Sequence, residues 1–288
     1  MDWYPAQFFD TASPPSTPFA ILVLNQPINQ NAYNVLKKRA CFTICADGGA
    51  NRFYSLMHAQ GKESIELPNA ILGDLDSISP QVRKHYEDLR VPVLYDPDQE
   101  TTDFTKCLHY LHSHAPEIIS SSSDPASNTS SPQTQQQQQL NILILGGLGG
   151  RVDQAVSQIH HLYMPFPSPT SPSQPSPPPP FLYLISEESM TFILHQGLNR
   201  IHTPGGSSLA NPPTTQPQQP LSENIGILPV AGPATITTHG LEWDVAEWKT
   251  EFGGRLSTSN HIRAEVVEVW ADGRVLVTLE LGAGLKWR

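Results

Sequence analysis

LNILILGGLGGRVDQ, residues Leu140 to Gln154, holds three signals in fifteen residues. An apolar run reads as a buried strand, a glycine-rich segment as a turn, and Val152 onward as a helix. In that helix Val152, Ala155, Val156, Ile159, Leu162 and Tyr163 recur at helical spacing. Upstream, Ala20–Leu24, Cys41–Ala46, Asn69–Leu72 and Val91–Tyr95 read the same way as buried strands, and downstream Phe181–Ile185 does. Phe104, Cys107, Leu108 and Leu111 form a second helical stripe. Strands alternating with helices imply an α/β domain with a mostly parallel sheet.

The last hundred residues follow another pattern. Met190–Leu194, Ile225–Val230, Ala234–Thr238, Ala264–Trp270 and Arg274–Leu281 are short strand-like runs without a helical repeat between them. Asp272-Gly273, between the last two, predicts a hairpin. The expected organisation is an α/β N-terminal domain over residues 18–188 followed by an all-β sandwich domain over 189–288. Residues 1–17 are expected to be a disordered N-terminal segment.

Proline is 28 of 288 residues, above the usual share of about 5%. Much of it sits with Ser, Thr and Gln in three patches, 120–139, 165–180 and 204–220. Each separates segments that read as regular structure, and each has too little apolar surface to offset the entropy of ordering. They are expected to be surface loop insertions. The formal net charge of −10 disfavours a nucleic-acid partner, which needs clustered Lys and Arg. No run of eighteen apolar residues exists, so no membrane-spanning helix is expected. The N-terminal residues lack the pattern of a secretory signal. Three cysteines, Cys41, Cys45 and Cys107, suit a reducing, cytoplasmic setting and offer no zinc pattern.

Carboxylates gather at strand ends. Asp47 follows the second strand, Asp74 and Asp76 the third, Asp98, Glu100 and Asp103 the fourth, and Asp153 the fifth. A parallel sheet brings such ends to one edge, where ligands bind and where like charges repel unless a cation is present. Asp74 and Asp76, at i and i+2, would face one way in an extended segment. Hard oxygen ligands of this kind suit Mg²⁺. Each acid alone also has an ordinary reading as a turn residue or a helix cap, with Thr101 or Thr102 as the cap before Asp103. Gly48-Gly49 and Gly146–Gly150 offer close backbone approach to a phosphate, although GxxxxGK[ST] is absent. Arg151 and Lys106 are candidate phosphate cations. In the β-rich part, Trp243 offers a platform for a flat cationic ring, and the Ser and Asn residues of Leu256–Asn260 offer hydrogen bonds.

At these residues the chain resembles the thiamine pyrophosphokinase family, with its eukaryotic branch nearest because Gln154 stands where many bacterial members have His. The matching motifs are ADGGANR (Ala46–Arg52), GDLDSI (Gly73–Ile78), DQETTDFTKCL (Asp98–Leu108), LGGLGGRVDQ (Leu145–Gln154), GILPV (Gly226–Val230), THGLEWDV (Thr238–Val245) and LSTSN (Leu256–Asn260). They occur in the family's order and span the chain apart from the three patches, which are the main departure. The resemblance implies transfer of the β,γ-pyrophosphoryl group of ATP to the thiamine hydroxyl, giving thiamine diphosphate and AMP. It implies an ATP-binding α/β domain, a β-sandwich that helps bind thiamine, and a homodimer with sites at the interface. By motif match Asp74, Asp76 and Asp103 are the catalytic and Mg²⁺-side carboxylates. Asp47, Gln99, Thr102, Lys106, Arg151, Asp153 and Gln154 are implied on the ATP side. Trp243, Ser257, Ser259 and Asn260 are implied on the thiamine side. Two other readings compete: a non-catalytic thiamine- or nucleotide-binding protein on the same fold, and another metal-dependent phosphotransferase. The first would be free to lose the three carboxylates, and the second has no use for GLEW and LSTSN.

Overall fold

The computed structural model describes residues 1–122, 139–166, 177–203 and 219–287. The mobility expected of the three low-complexity patches falls chiefly on residues outside that set. Two compact units are present, one of Ser16–Ser186 and one combining Met1–Pro15 with Glu187–Arg288.

The first segment departs from expectation. Asp2–Trp3 is a short strand, β1, followed by a 3₁₀ turn over Pro5–Phe9. Trp3, Phe8 and Phe9 are buried. Three large apolar side chains supply the burial that a disordered segment lacks.

In the unit of Ser16–Ser186, six strands pair in parallel. They are β2 (Phe19–Val23), β3 (Phe42–Ala46), β4 (Ala70–Gly73), β5 (Val93–Tyr95), β6 (Asn141–Leu145) and β7 (Leu182–Ile185). Their order is β7-β6-β2-β3-β4-β5. All residues of β2, β4, β6 and β7 are buried, as strands covered on both faces require. The helices are α1 (Gln30–Leu36), α2 (Gly49–Ala59), α3 (Pro80–Asp88), α4 (Asp103–Ser113), α5 (Ala115–Ser122) and α6 (Val152–Tyr163). The chain runs outward from β2 to β5, then returns to place β6 on the other side of β2. That reversal opens a crevice at the carboxyl ends of β2 and β6.

The helical stripe on α4 is buried as its spacing predicts, with Phe104, Cys107, Leu108 and Leu111 all inside. On α6 the helix forms, but Val152 and Val156 are 77% and 56% exposed. Only His161 and Leu162 of α6 are buried.

Among its described residues the second unit is all-β apart from the 3₁₀ turn. Its further strands are β8 (Ser189–Leu194), β9 (Gly197–His202), β10 (Leu221–Leu228), β11 (Ala234–His239), β12 (Trp248–Thr250), β13 (Ser257–His261), β14 (Val266–Ala271) and β15 (Val275–Leu281). One sheet has the order β1-β9-β14-β11-β12. In the other, β10 lies between β13 and β15, and β15 also pairs with β8. Trp3 from the first packs on Phe192 from the second, with ring centroids 5.0 Å apart. The predicted hairpin at Asp272-Gly273 is absent. β14 pairs with β9 and β11, whereas β15 pairs with β8 and β10, so the turn passes the chain from one sheet to the other. The Asp272 carboxylate accepts the Thr235 amide at 2.8 Å, which anchors that corner to β11 rather than to β15.

Candidate active site

Asp47 closes β3 with φ of 37° and is 2% exposed. Its carboxylate accepts two backbone amides, from Ser77 and Ile78, each at 2.9 Å. Asp74 follows β4, and its amide donates to Asp103 Oδ1 at 3.1 Å. Asp103 is the first residue of α4, behind its N-cap Thr102. One carboxylate oxygen from each of Asp47, Asp74 and Asp103 lies within 4.8 Å of the others. Gly73 makes this crowding possible. A Cβ there would stand 2.7 Å from Asp47 Cβ and 2.9 Å from Asp103 Oδ1.

Lys106 supplies the local positive charge. Its side chain is 2% exposed, and its ammonium donates to Asp103 Oδ1 at 3.2 Å and to the Asp96 carbonyl at 3.1 Å. Burial opposes this ammonium, but Asp103, Asp96 and Asp74 outweigh that and raise its pKa. Burial drives the Asp47 carboxyl upward, aided by the Asp103 charge, against the two amides that favour its ionised form. Burial also acts upward on Asp74. There the Asp76 amide, Gln99 and Lys106 prevail and hold the carboxyl below its usual range.

The other expected residues divide. Gln99 donates to Asp74 Oδ2 at 3.1 Å. Thr102 and Gln154 line a cleft of about 180 Å³ with Asn25, Asp47, Asp103 and His161, at the carboxyl ends of β2 and β3. Asp76 is exposed and outside the three-carboxylate group, although the i, i+2 spacing placed it beside Asp74. Leu75 adopts φ of 60°, so the segment turns and the alternation of an extended chain is lost. The Asp76 amide instead donates to Asp74 Oδ1 at 3.2 Å. Arg151 and Asp153 pair with each other in solvent, at 2.6 and 3.1 Å. The loop before them bends through Gly146, Gly149 and Gly150, whose φ values are 69°, 125° and 63°.

Two contributors were not singled out from sequence. Asn51 accepts the Ser79 amide and donates to the Ser77 carbonyl, both at 2.9 Å, so it grips the loop that Asp47 also holds. Its signal was available, one helical turn after Asp47 in ADGGANR. His161 contacts Thr102 and Thr105 (2.9 and 3.0 Å), and no sequence pattern marks it.

In the β unit, Trp243 is 56% exposed, and its ring lies 5.2 Å from that of His261. Asn260 is buried and grips the Trp243 main chain. Its Oδ1 accepts the Trp243 amide at 3.2 Å, and its Nδ2 donates to the Trp243 carbonyl at 2.9 Å. Ser259, with φ of 55°, and Thr258 line a groove of about 450 Å³ with Asn224, Gly226 and Glu280. Ser257 begins β13 and is not among that groove's lining residues.

Residues 33–170 match the family model described as "Thiamin pyrophosphokinase, catalytic domain", and residues 214–276 match "Thiamin pyrophosphokinase, vitamin B1 binding domain". Thiamine pyrophosphokinase 1 of Oryza sativa subsp. japonica is 30% identical over 276 residues, which cover 92% of this chain and 88% of the relative. The thiamine pyrophosphokinase of Saccharomyces cerevisiae is 32% identical over 267 residues, 83% of this chain and 78% of the relative. The solved thiamin pyrophosphokinase of Candida albicans superposes with a TM-score of 0.74 at 27% identity, covering 97% of this chain and 92% of that one.

Proposed function

The chain belongs to the thiamin pyrophosphokinase family and is an ATP-dependent thiamine diphosphokinase, and from that premise we propose how its residues divide the reaction. The thiamine hydroxyl oxygen attacks the β-phosphorus of ATP and loses its proton. The bond from that phosphorus to the α,β-bridging oxygen breaks, giving thiamine diphosphate and AMP.

The observation that carries the assignment is the meeting of Asp47, Asp74 and Asp103 at the carboxyl ends of β3 and β4. One buried ammonium, Lys106, pairs with Asp103, and the negative charge left over among the three carboxylates matches a divalent cation with hard oxygen ligands. These three residues would hold Mg²⁺, which when bound neutralises charge on phosphate oxygens. Asp76 and Gln99 act beside them, Asp76 through its amide on Asp74 and Gln99 through its side chain. Lys106 holds Asp103 in place by its ion pair and helps hold the Asp74 carboxyl below its usual range. Arg151 is exposed, and an exposed ion pair contributes at most about 1 kcal/mol, so its guanidinium is free to exchange Asp153 for a pyrophosphate. Thr102, as the N-cap of α4 lining the cleft, completes the ATP side with Asp153 and Gln154, within the unit of Ser16–Ser186. On the thiamine side, Trp243 offers its exposed face to the cationic ring, and Ser257 and Ser259 its polar partners. Asn260 holds the Trp243 main chain. Positioning and electrostatics then supply most of the rate.

The homodimer is part of the same proposal, and a solution mass of twice the 31.7 kDa chain is the expected result. No helix among the described residues is long and apolar enough to cross a membrane. With Cys41, Cys45 and Cys107 all free, we place the enzyme in the cytoplasm.

The test is a product assay with purified protein, thiamine, ATP and Mg²⁺ that resolves AMP from ADP. AMP appearing one-for-one with thiamine diphosphate is expected. ADP with thiamine monophosphate would move the attack to the γ-phosphorus and overturn the mechanism. Thiamine binding without turnover would favour a non-catalytic role.

A further inference from the structure

His161 sits in the last turn of α6, 4% exposed, with its ring centroid 4.6 Å from that of Phe104 on α4. Nδ1 lies 2.6 Å from the Ser157 carbonyl oxygen, one turn earlier. A carbonyl only accepts, so Nδ1 carries the proton and Nε2 presents a lone pair. Two hydroxyls converge on that lone pair, Thr102 Oγ1 at 2.9 Å and Thr105 Oγ1 at 3.0 Å, and they lie 3.0 Å from each other.

Thr102 is the N-cap of α4, and its Oγ1 accepts the Thr105 amide at 3.2 Å. A cap works through an oxygen lone pair aimed at that amide. Two hydroxyl protons serve three close contacts, and because Nε2 has no proton of its own, at least one hydroxyl donates to it and the other is oriented through the same triangle. The residue after the cap is Asp103. The helix that delivers His161 also carries Gln154 into the cleft. Burial pushes the His161 imidazole below its ordinary value, in keeping with an acceptor nitrogen.

We propose that His161 is a positioning residue for the nucleotide site. Its Nε2 lone pair orients the Thr102 and Thr105 hydroxyls and so locks the start of α4, with Asp103, against α6. This rests on the assignment of the cleft to ATP. It also means that the Thr102 hydroxyl is committed to the cap and to His161 rather than to a phosphate.

Side-chain length provides the test. A glutamine at 161 can bring an amide oxygen to the depth of Nε2, whereas an asparagine reaches only the depth of Nδ1. Losing one such hydrogen bond corresponds to roughly a tenfold change. H161A and H161N should therefore lose about tenfold in kcat/KM for ATP and in affinity for a non-hydrolysable ATP analogue, with KM for thiamine unchanged. H161Q should stay within about threefold of wild type. T105V keeps the side-chain shape and removes one hydroxyl, and should show a smaller loss in the same two quantities. Nitrogen-15 NMR of the wild-type protein should show His161 protonated on Nδ1.

Equal damage from Gln and Ala would reduce His161 to packing and overturn the proposal. So would wild-type behaviour in every variant, or a proton found on Nε2. The NMR measurement decides even if a variant fails to fold. A wild-type protein that makes no AMP would instead overturn the assignment of the cleft.

Discussion

A close group of like charges depends on whatever balances it, and the three clustered carboxylates can be separated from the fourth by titration with metal. D74N and D103N should each raise the Mg²⁺ concentration for half-maximal rate by roughly ten- to a hundredfold. D76N should raise it by less, because Asp76 lies outside the group. An equal effect of all three would show that the loop after β4 rearranges when it binds metal. His161 gives a second prediction, on pH. Its folded-state pKa lies below the ordinary 6.5, so the unfolded chain takes up the proton first. Its contribution to stability is complete above about pH 6.5 and falls away as pH drops through the lower, folded value. His160 on the same helix and His109 across a small cavity on α4 also face it. The informative quantity is thus the difference between wild type and H161Q. Melting temperatures from pH 8 to 5 should fall more steeply for wild type. At this scale the sequence showed which acids end strands, because strand ends follow from apolar runs. It did not show that Leu75 turns the chain through φ of 60°, since the turn depends on how Asp74 and Asp76 bond to each other.

Elements set how closely these residues approach. Helix α2 starts so near β2 that a Cβ on Gly49 would stand 2.3 Å from the Val23 carbonyl oxygen. Backbone cannot swing aside as a side chain does, so G49A should cost roughly 1–3 kcal/mol, read as a lower urea midpoint. The buried strands β2, β3, β4, β6 and β7 were legible as apolar runs, because burial on both faces leaves no polar alternation to confuse with a helix. Strand β9 was not: in GLNRIH only Asn199 and Ile201 are buried, and Asn199 earns its place through hydrogen bonds rather than apolarity. The α6 stripe misled in the opposite sense. Val152 and Val156 are at helical spacing, yet no element within the chain's described residues covers them. Asp272-Gly273 has the composition of a tight hairpin, but composition does not say which sheet the next strand joins.

For the whole molecule, the division into an α/β unit and a β unit was visible where helical repeats stop. What the sequence hid was that the first fifteen residues belong with the last hundred. Local pattern reveals a segment's tendencies, not a partner nearly two hundred positions away. Trp3 is the clearest measure of that tie. It is 2% exposed, packs on Phe192, and donates from Nε1 to Asn199 at 3.1 Å. W3A should destabilise the β unit by about 3–5 kcal/mol in chemical denaturation while leaving the chemistry of the α/β unit's carboxylates in place. The pairing of Asp2 with Arg200 also sets an order of events during synthesis. At roughly 5–20 residues per second, β1 leaves the ribosome on the order of ten to forty seconds before β9 exists to receive it. Throughout that interval Trp3, Phe8 and Phe9 have no sheet to enter. The nascent chain therefore carries a short, uncovered aromatic segment until Gly197–His202 has been made.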